Sequence, residues 1–512
     1  MAMYNSTVLP ITLTRLYDEH ADLFSGTAIA ISTAIFALAS GYVYNSLKYP
    51  ILYYTPFLGQ LGFFSARHDF MDSSLRFALQ AKASGSEGSG RGGVYKVKTV
   101  GYKVNVLYGE IGRKLFFADK SLSLYHGYLF LRGGFPTTSN LGEAVEPDNN
   151  HLKTRLLHFM NREYLSDMLP VIVKEVNQAA DQWSKESNID LFDKVYEFIF
   201  KLTARLLICT EIADDDELRK HVRTLYWNIE DAATSFTNLV SWIPTAQKRL
   251  AASSTMELSK ILFGIIATRR NESRRENDPL QYQIDKGDSD AEIIQFIFKL
   301  LFAGSVNTAA ISAWIIVYLT RNPDYMNRVL DELRAAANEV GGTGPLSERI
   351  QHLSIDAWEN DMPVLERVSR ETIRLVFAIL ALRRNVENDL YIDGTLIRRG
   401  EFLAYPIHDA HLNPNIFPDP ETWNPDRWLD GKDKEFTYAF LGWGVSRFPC
   451  TGMRIAKIEM KVIVGVVISS FDMAVTDLHG NRVDETPKPN RNDWQHFMPL
   501  EPMRMDIKRT VK

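Results

Sequence analysis

Two cysteines occur in 512 residues, Cys209 and Cys450, so the chain has neither a disulfide framework nor a Cys-x-x-Cys zinc pattern. Cys209 reads as a small buried apolar residue. Cys450 differs because of its neighbours: residues 440–452 read F-L-G-W-G-V-S-R-F-P-C-T-G and lead into the helix-like MRIAKIEMKVIVGVVISS. Gly442, Gly444 and Gly452 permit a tight turn and a close approach of backbone to a flat ligand, and Cys450 stands just before a helix start. Backbone N–H groups and the positive end of that helix would favour the thiolate over the thiol, and the thiolate is the form of sulfur that binds iron.

Two further groups have suggestive spacing. Glu371-Thr-Ile-Arg374 sets a carboxylate and a guanidinium three apart on one helix face, where they can pair. Ala303-Gly304-Ser-Val306-Asn307-Thr308 interrupts a long apolar stretch with residues that hydrogen-bond but carry no acid. His408 and His411, in Y-P-I-H-D-A-H-L-N-P, lack a third ligand nearby and read as packed structural residues rather than metal ligands.

In this order these segments resemble the haem-binding loop, the Glu-x-x-Arg pair and the oxygen-binding groove of the cytochrome P-450 family. The likeness runs over roughly residues 48–510 and is greatest to fungal microsomal members. The resemblance implies a mainly α fold with minor β sheets, a triangular helical prism around haem b, with Cys450 as the iron's ligand. It places Trp443, Gly444, Arg447 and Gly452 in the loop that carries the haem, and offers Arg155 and Arg384, or its neighbour Arg383, as propionate contacts. Glu371 and Arg374 would lock with Arg427 of Trp423-Asn-Pro-Asp-Arg427-Trp428 and hold the cysteine loop, so that Glu371 is structural and not a catalytic acid. Gly304 would let its helix bulge over the haem, with Ala303, Asn307 and Thr308 beside it.

The sequence departs from the family pattern. Val306 and Asn307 stand where an acid and an alcohol usually relay protons, which leaves water to carry more of that traffic. Ser446 replaces a usual Gly, and Phe448 replaces a usual His or Arg at a propionate, a contact that Arg447 would take over. The implied activity is monooxygenation of a lipophilic small molecule, with NADPH electrons arriving through a flavoprotein reductase, in fungal secondary-metabolite biosynthesis. Lys457, Lys461, Arg447 and Arg454 form the expected basic docking face for that acidic partner. The alternative is a haem-thiolate peroxide isomerase or dehydratase that needs no reductase, in keeping with Val306 and Asn307. A haem carrier without turnover is disfavoured by the long apolar central helix.

The elements that must position these groups are also legible. With 45% hydrophobic and 24% charged residues the chain can bury one large core, and a net charge of -5 supplies no field for a phosphate backbone. From about residue 150 to 375 the apolar residues recur at helical spacing, as in LFDKVYEFIFKLTARLLICT and MPVLERVSRETIRL. Ser289-Asp-Ala-Glu has the form of a capping box, opening one helix expected to run unbroken to Asn322-Pro323. VYKVKTVGYKVNVLY alternates on both sides of Gly101, the pattern of two short antiparallel strands.

No charge occurs from residue 23 to 47, a length that makes a helix of roughly 37 Å, enough to cross a bilayer. Acidic residues precede it and Lys48 follows. The expected topology is therefore a single-pass endoplasmic reticulum anchor, with residues 1–22 lumenal, residues 48–512 a cytosolic catalytic domain, and Asn5 a glycosylation acceptor. The substrate pocket is expected to draw on the apolar segments 121–148 and 229–244, on Phe302 and on residues 376–380.

Overall fold

The computed structural model describes residues 93–99, 102–131, 149–231, 245–272, 275–377, 379–392, 394–491 and 497–510. Contacts divide the chain into residues 1–54 with 96–98, and the remainder, which is the unit described below. The expected membrane span at 23–47, Asn5, and most of the expected substrate-pocket loops (132–148 and 232–244) lie outside the described residues.

The strands expected around Gly101 are β1 (Gly93–Thr99) and β2 (Tyr102–Tyr108), followed by α1 (Gly109–Ala118) and the short β3 (Leu122–Ser123). The helical body begins with α2 (Asn149–Phe159), α3 (Arg162–Trp183) and α4 (Leu191–Thr203). In α4, Asp190 caps the start by accepting from the Asp193 amide, and Phe192, Val195, Ile199 and Leu202 bury the inner face. Then come α5 (Asp216–Asp231) and α6 (Ala246–Asn271).

The capping box forms as expected: Ser289 Oγ accepts from the Glu292 amide, and the Glu292 carboxylate accepts from the Ser289 amide. The helix it opens is not continuous, which corrects the expectation. It divides into α7 (Asp290–Gly304) and α8 (Val306–Arg321), with Ser305 between them. Ser305 Oγ donates to the Leu301 carbonyl at 2.9 Å, offering that carbonyl a side-chain partner at the break. Apolar periodicity could not register this, because residues on both sides are equally hydrophobic. All residues from 308 to 319 are buried.

Asn322-Pro323 ends α8 and opens α9 (Pro323–Val340), where a proline at the first position loses no hydrogen bond. Next is α10 (Pro363–Val376), whose Val364 and Leu365 amides donate to Glu332. β4 (Leu380–Asn385) runs antiparallel to β3 and to β5 (Phe402–Pro406), and β5 runs parallel to β2. A single turn, α11 (His408–His411), precedes the loop-rich stretch to residue 452. α12 (Met453–Ser470) then enters the core, followed by an antiparallel pair, β6 (Phe471–Thr476) and β7 (Arg504–Arg509).

The architecture is mainly helical with minor sheets. α8 is its axis and packs against α4, α10 and α12. Among the described residues, Ala246–Asn271 and Asp290–Arg321 are long and apolar enough to cross a membrane, but 82% of the second's most apolar window is buried, as in a core helix.

Candidate functional site

Glu371 and Arg374 lie one helical turn apart in α10, both fully buried. Arg374 donates through Nε and Nη2 to the two Glu371 oxygens at 2.9 and 2.8 Å, and Arg427 Nε and the Asn424 amide each reach Glu371 at 2.9 Å. The arginines extend the knot into the following loop. Arg374 Nη1 donates to the carbonyls of His411 and Pro420, both at 2.7 Å, and Arg427 donates to those of Pro418, Asp419 and Thr422. A buried carboxylate is tolerated where its charge is met and its lone pairs are filled, as they are here.

The cysteine loop is folded by its own amides. Gly444 donates to the Leu441 carbonyl at 3.0 Å, Phe448 to Val445 at 3.1 Å, and Cys450 to Trp443 at 2.7 Å. Gly444 adopts φ +68°, and a Cβ there would stand 2.1 Å from the Phe448 carbonyl oxygen. Ser446 adopts φ +57°, a left-handed conformation that glycine takes without cost. The two positions therefore respond oppositely to substitution. Gly444→Ala is expected to cost about 3 kcal/mol or more through clash and strain, whereas Ser446→Gly should stabilise by about 1 kcal/mol. Denaturant unfolding of both variants beside the parent checks this; a Gly444→Ala chain as stable as the parent contradicts the loop geometry.

Cys450 is exposed at the loop's tip, and Gly452, two residues on, is the N-cap of α12. Desolvation by the surrounding loop pushes its thiol above the ordinary value, opposed only by a hydrogen bond from the Gly452 amide. The Gly452 amide favours the thiolate, as expected, but is the smaller of these two influences on the thiol. A coordinated metal cation deprotonates a thiol outright, so the thiolate here would depend on its ligand.

The arginines expected at the propionates differ in their surroundings. Arg384 turns away, donating to the Gly400 carbonyl and lying over Phe402. Its neighbour Arg383, on the opposite face of β4, is 3% exposed and lies over Phe448 of the cysteine loop at 4.3 Å and over Phe116 at 5.0 Å. Among the described residues Arg383 donates only to the adjacent Leu382 carbonyl and its Nε has no partner, so there a buried cation sits beside the loop without a carboxylate. Burial lowers its pKa to about 10.

Arg155 pairs through Nε and Nη2 with Asp288, which takes the interaction expected for a propionate. Arg447 reaches the Asp119 carbonyl at 3.1 Å. Of the other docking cations, Lys457 pairs with Glu366, Arg454 with Glu359, and Lys461 with Glu366 and two backbone carbonyls. Three of the four expected docking cations thus pair with carboxylates.

At the helix break, Ala303 and Asn307 are exposed and, four apart, share a face, while Val306 is half-buried and Thr308 is buried. Asn307 rather than Thr308 is therefore presented at the surface of this segment. Gly304 also packs closely: a Cβ there would meet Thr203 Cγ2 at 3.2 Å and Leu207 Cδ1 at 3.5 Å, so its bareness permits close packing with α4 and the turn that follows it.

Comparison with known proteins completes the description of the site. A family model described as Cytochrome P450 matches residues 129–493. The monooxygenase AacuE of Aspergillus aculeatus is 25% identical over 395 residues, covering 74% of this chain and 79% of its own. The monooxygenase nsrP of Aspergillus novofumigatus is 27% identical over 399 residues, covering 74% and 75%. A sterol 14-demethylase of Arabidopsis thaliana is 25% identical over 403 residues, covering 75% and 79%. The retinoic acid-bound cyanobacterial CYP120A1 superposes with a TM-score of 0.65 at 19% identity, over 86% of this chain and 96% of its own.

Proposed function

The chain belongs to the cytochrome P450 family and is a monooxygenase-type oxidoreductase, and we propose that it inserts one atom of O2 into a lipophilic small molecule of fungal secondary metabolism. NADPH electrons would arrive through a flavoprotein reductase. The observation that carries the reading is Cys450, held by the Trp443 carbonyl in a loop whose Phe448 lies under the buried Arg383. The fungal monooxygenases and the sterol demethylase among its relatives support the reaction type and a lipophilic substrate.

Haem b fits these residues. Cys450 would hold the iron and the buried Arg383 would meet a propionate carboxylate, while Gly444 lets the loop close on the Phe448 carbonyl. When bound, haem supplies the redox centre at which O2 is activated. The chain's own residues do the rest. The Glu371 knot fixes the loop, and the Asn307 amide, exposed at the helix break, can donate and accept hydrogen bonds and so hold water. Asn307 cannot supply a proton near neutral pH, so water delivers it. Residues 23–47 would anchor this cytosolic domain to the endoplasmic reticulum, with Asn5 on the lumenal side.

The exposed Asn307 and buried Thr308 also favour a second reading, a peroxide isomerase or dehydratase independent of a reductase. One experiment separates the two: metabolite extracts are incubated with the purified protein under isotopically labelled O2, with NADPH and reductase or with a hydroperoxide alone. The first reading expects one labelled oxygen per product molecule, strictly dependent on NADPH and reductase. Rearrangement or dehydration of the hydroperoxide itself, with no second molecule oxidised and no label, establishes the second.

A further inference from the structure

We propose that His411 is a positioning residue that transmits the geometry of the Glu371 knot to the cysteine loop through its imidazole Nε2. His411 sits at the end of α11 and is fully buried. Two different atoms of this residue face two different structures. Its carbonyl oxygen accepts from Arg374 Nη1 at 2.7 Å, and its Nε2 accepts from the Leu441 amide at 2.9 Å. The Leu441 carbonyl in turn accepts from Gly444, and the Trp443 carbonyl from Cys450. A chain of hydrogen bonds thus runs from the buried carboxylate through one histidine to the turn that carries the sulfur. The imidazole also stacks on Phe440 at 5.4 Å and 16°, so that both residues at the entrance to the loop rest on it.

A packing role alone does not account for this residue. Nε2 can accept only in the neutral tautomer that carries its proton on Nδ1, and Nδ1 is buried without a partner among the described residues. A phenylalanine would fill the same volume and leave no such donor unsatisfied. What histidine adds is an acceptor for the Leu441 amide at a position where the backbone, on its way into the Gly444 turn, has no carbonyl of its own to offer. The ring stays in the accepting form because burial, with Arg374 beside it, lowers its pKa to about 3.

The inference rests on the cysteine loop being the site, and its test reads the loop both with and without that premise. His411→Phe keeps the ring and removes the acceptor, and His411→Gln restores an acceptor at similar reach. Amide hydrogen exchange at Leu441 and Gly444, which does not depend on haem, is expected to quicken at least tenfold in the Phe variant and to return towards the parent in the Gln variant. In the reduced, carbon monoxide-treated protein, the Phe variant should lose more than half of the red-shifted thiolate band, and the Gln variant should keep most of it. Unchanged exchange in the Phe variant overturns the proposal, as does a Gln variant disturbed as much as the Phe variant. If the Phe variant does not fold, His411→Met is compared with His411→Gln, two chains of similar bulk of which only one accepts. Equal exchange in those two likewise overturns the proposal, whereas faster exchange in the Met variant supports it.

Discussion

Cys450→Ala is expected to abolish turnover, and Cys450→His to retain some haem while losing the red-shifted carbon monoxide band that marks a thiolate ligand. The physical basis is the identity of the donor atom. A thiolate pushes electron density towards the iron, which a neutral imidazole does not. Nothing else in the chain can replace it: Cys209 is fully buried in a separate apolar cluster, and desolvation raises its thiol far above the ordinary value. Because the protein alone raises the Cys450 thiol too, metal-free protein should carry a thiol and haem loading should release its proton. The measurement is a carbon monoxide difference spectrum of the reduced protein, with Cys209→Ser as the control that keeps the band. A His variant that retained the band at full intensity would contradict the assignment of Cys450 as ligand.

How much of this could be read beforehand depended on how local each cause was. The cysteine loop was legible because its glycines, its aromatic residues and its sulfur fall within thirteen positions, and a turn of that kind is decided by neighbours. The capping box at Ser289 and the proline start of α9 were legible for the same reason. Pairings across the chain were not. Arg383 and Arg384 are adjacent, and which of them meets the loop is decided by strand alternation and by the register that sets Arg384 opposite Phe402. Arg155 is claimed by Asp288, 133 residues away, and no local pattern announces it. Helix-end reasoning at Cys450 named the stabilising amide but omitted the desolvation that opposes it. His411 offered a spacing that fits no metal site; its acceptor role appears only once Leu441 is brought beside it. The break at Ser305 had a faint signal, the small and polar residues at 304–307, within an otherwise apolar run.

Replacing Glu371 tests the framework that makes the rest possible. Glu371→Gln keeps the shape and one acceptor oxygen but turns an amide NH2 towards donors, so Arg374 and Arg427 lose their counter-charge. Arg374 is fully buried and the Arg427 side chain is 9% exposed, so neither can recover much hydration. Breaking a buried pair by removing one partner costs about 3–5 kcal/mol, a large share of the roughly 5–15 kcal/mol that holds a domain folded. Buried ion pairs can often be exchanged for apolar residues with little loss, but this one should resist exchange. Arg374 also binds the carbonyls of His411 and Pro420, so removing it takes that donor from both, while Arg427, which stays, loses its carboxylate. Glu371→Leu combined with Arg374→Met is therefore expected to be no more stable than Glu371→Gln alone. Urea unfolding of the single and double variants, read beside the carbon monoxide spectrum, decides it. A Glu371→Gln chain within 1 kcal/mol of the parent would mean that the knot does not hold the loop, whereas a large loss accompanied by conversion of the red-shifted band ties its stability to the sulfur that the loop presents.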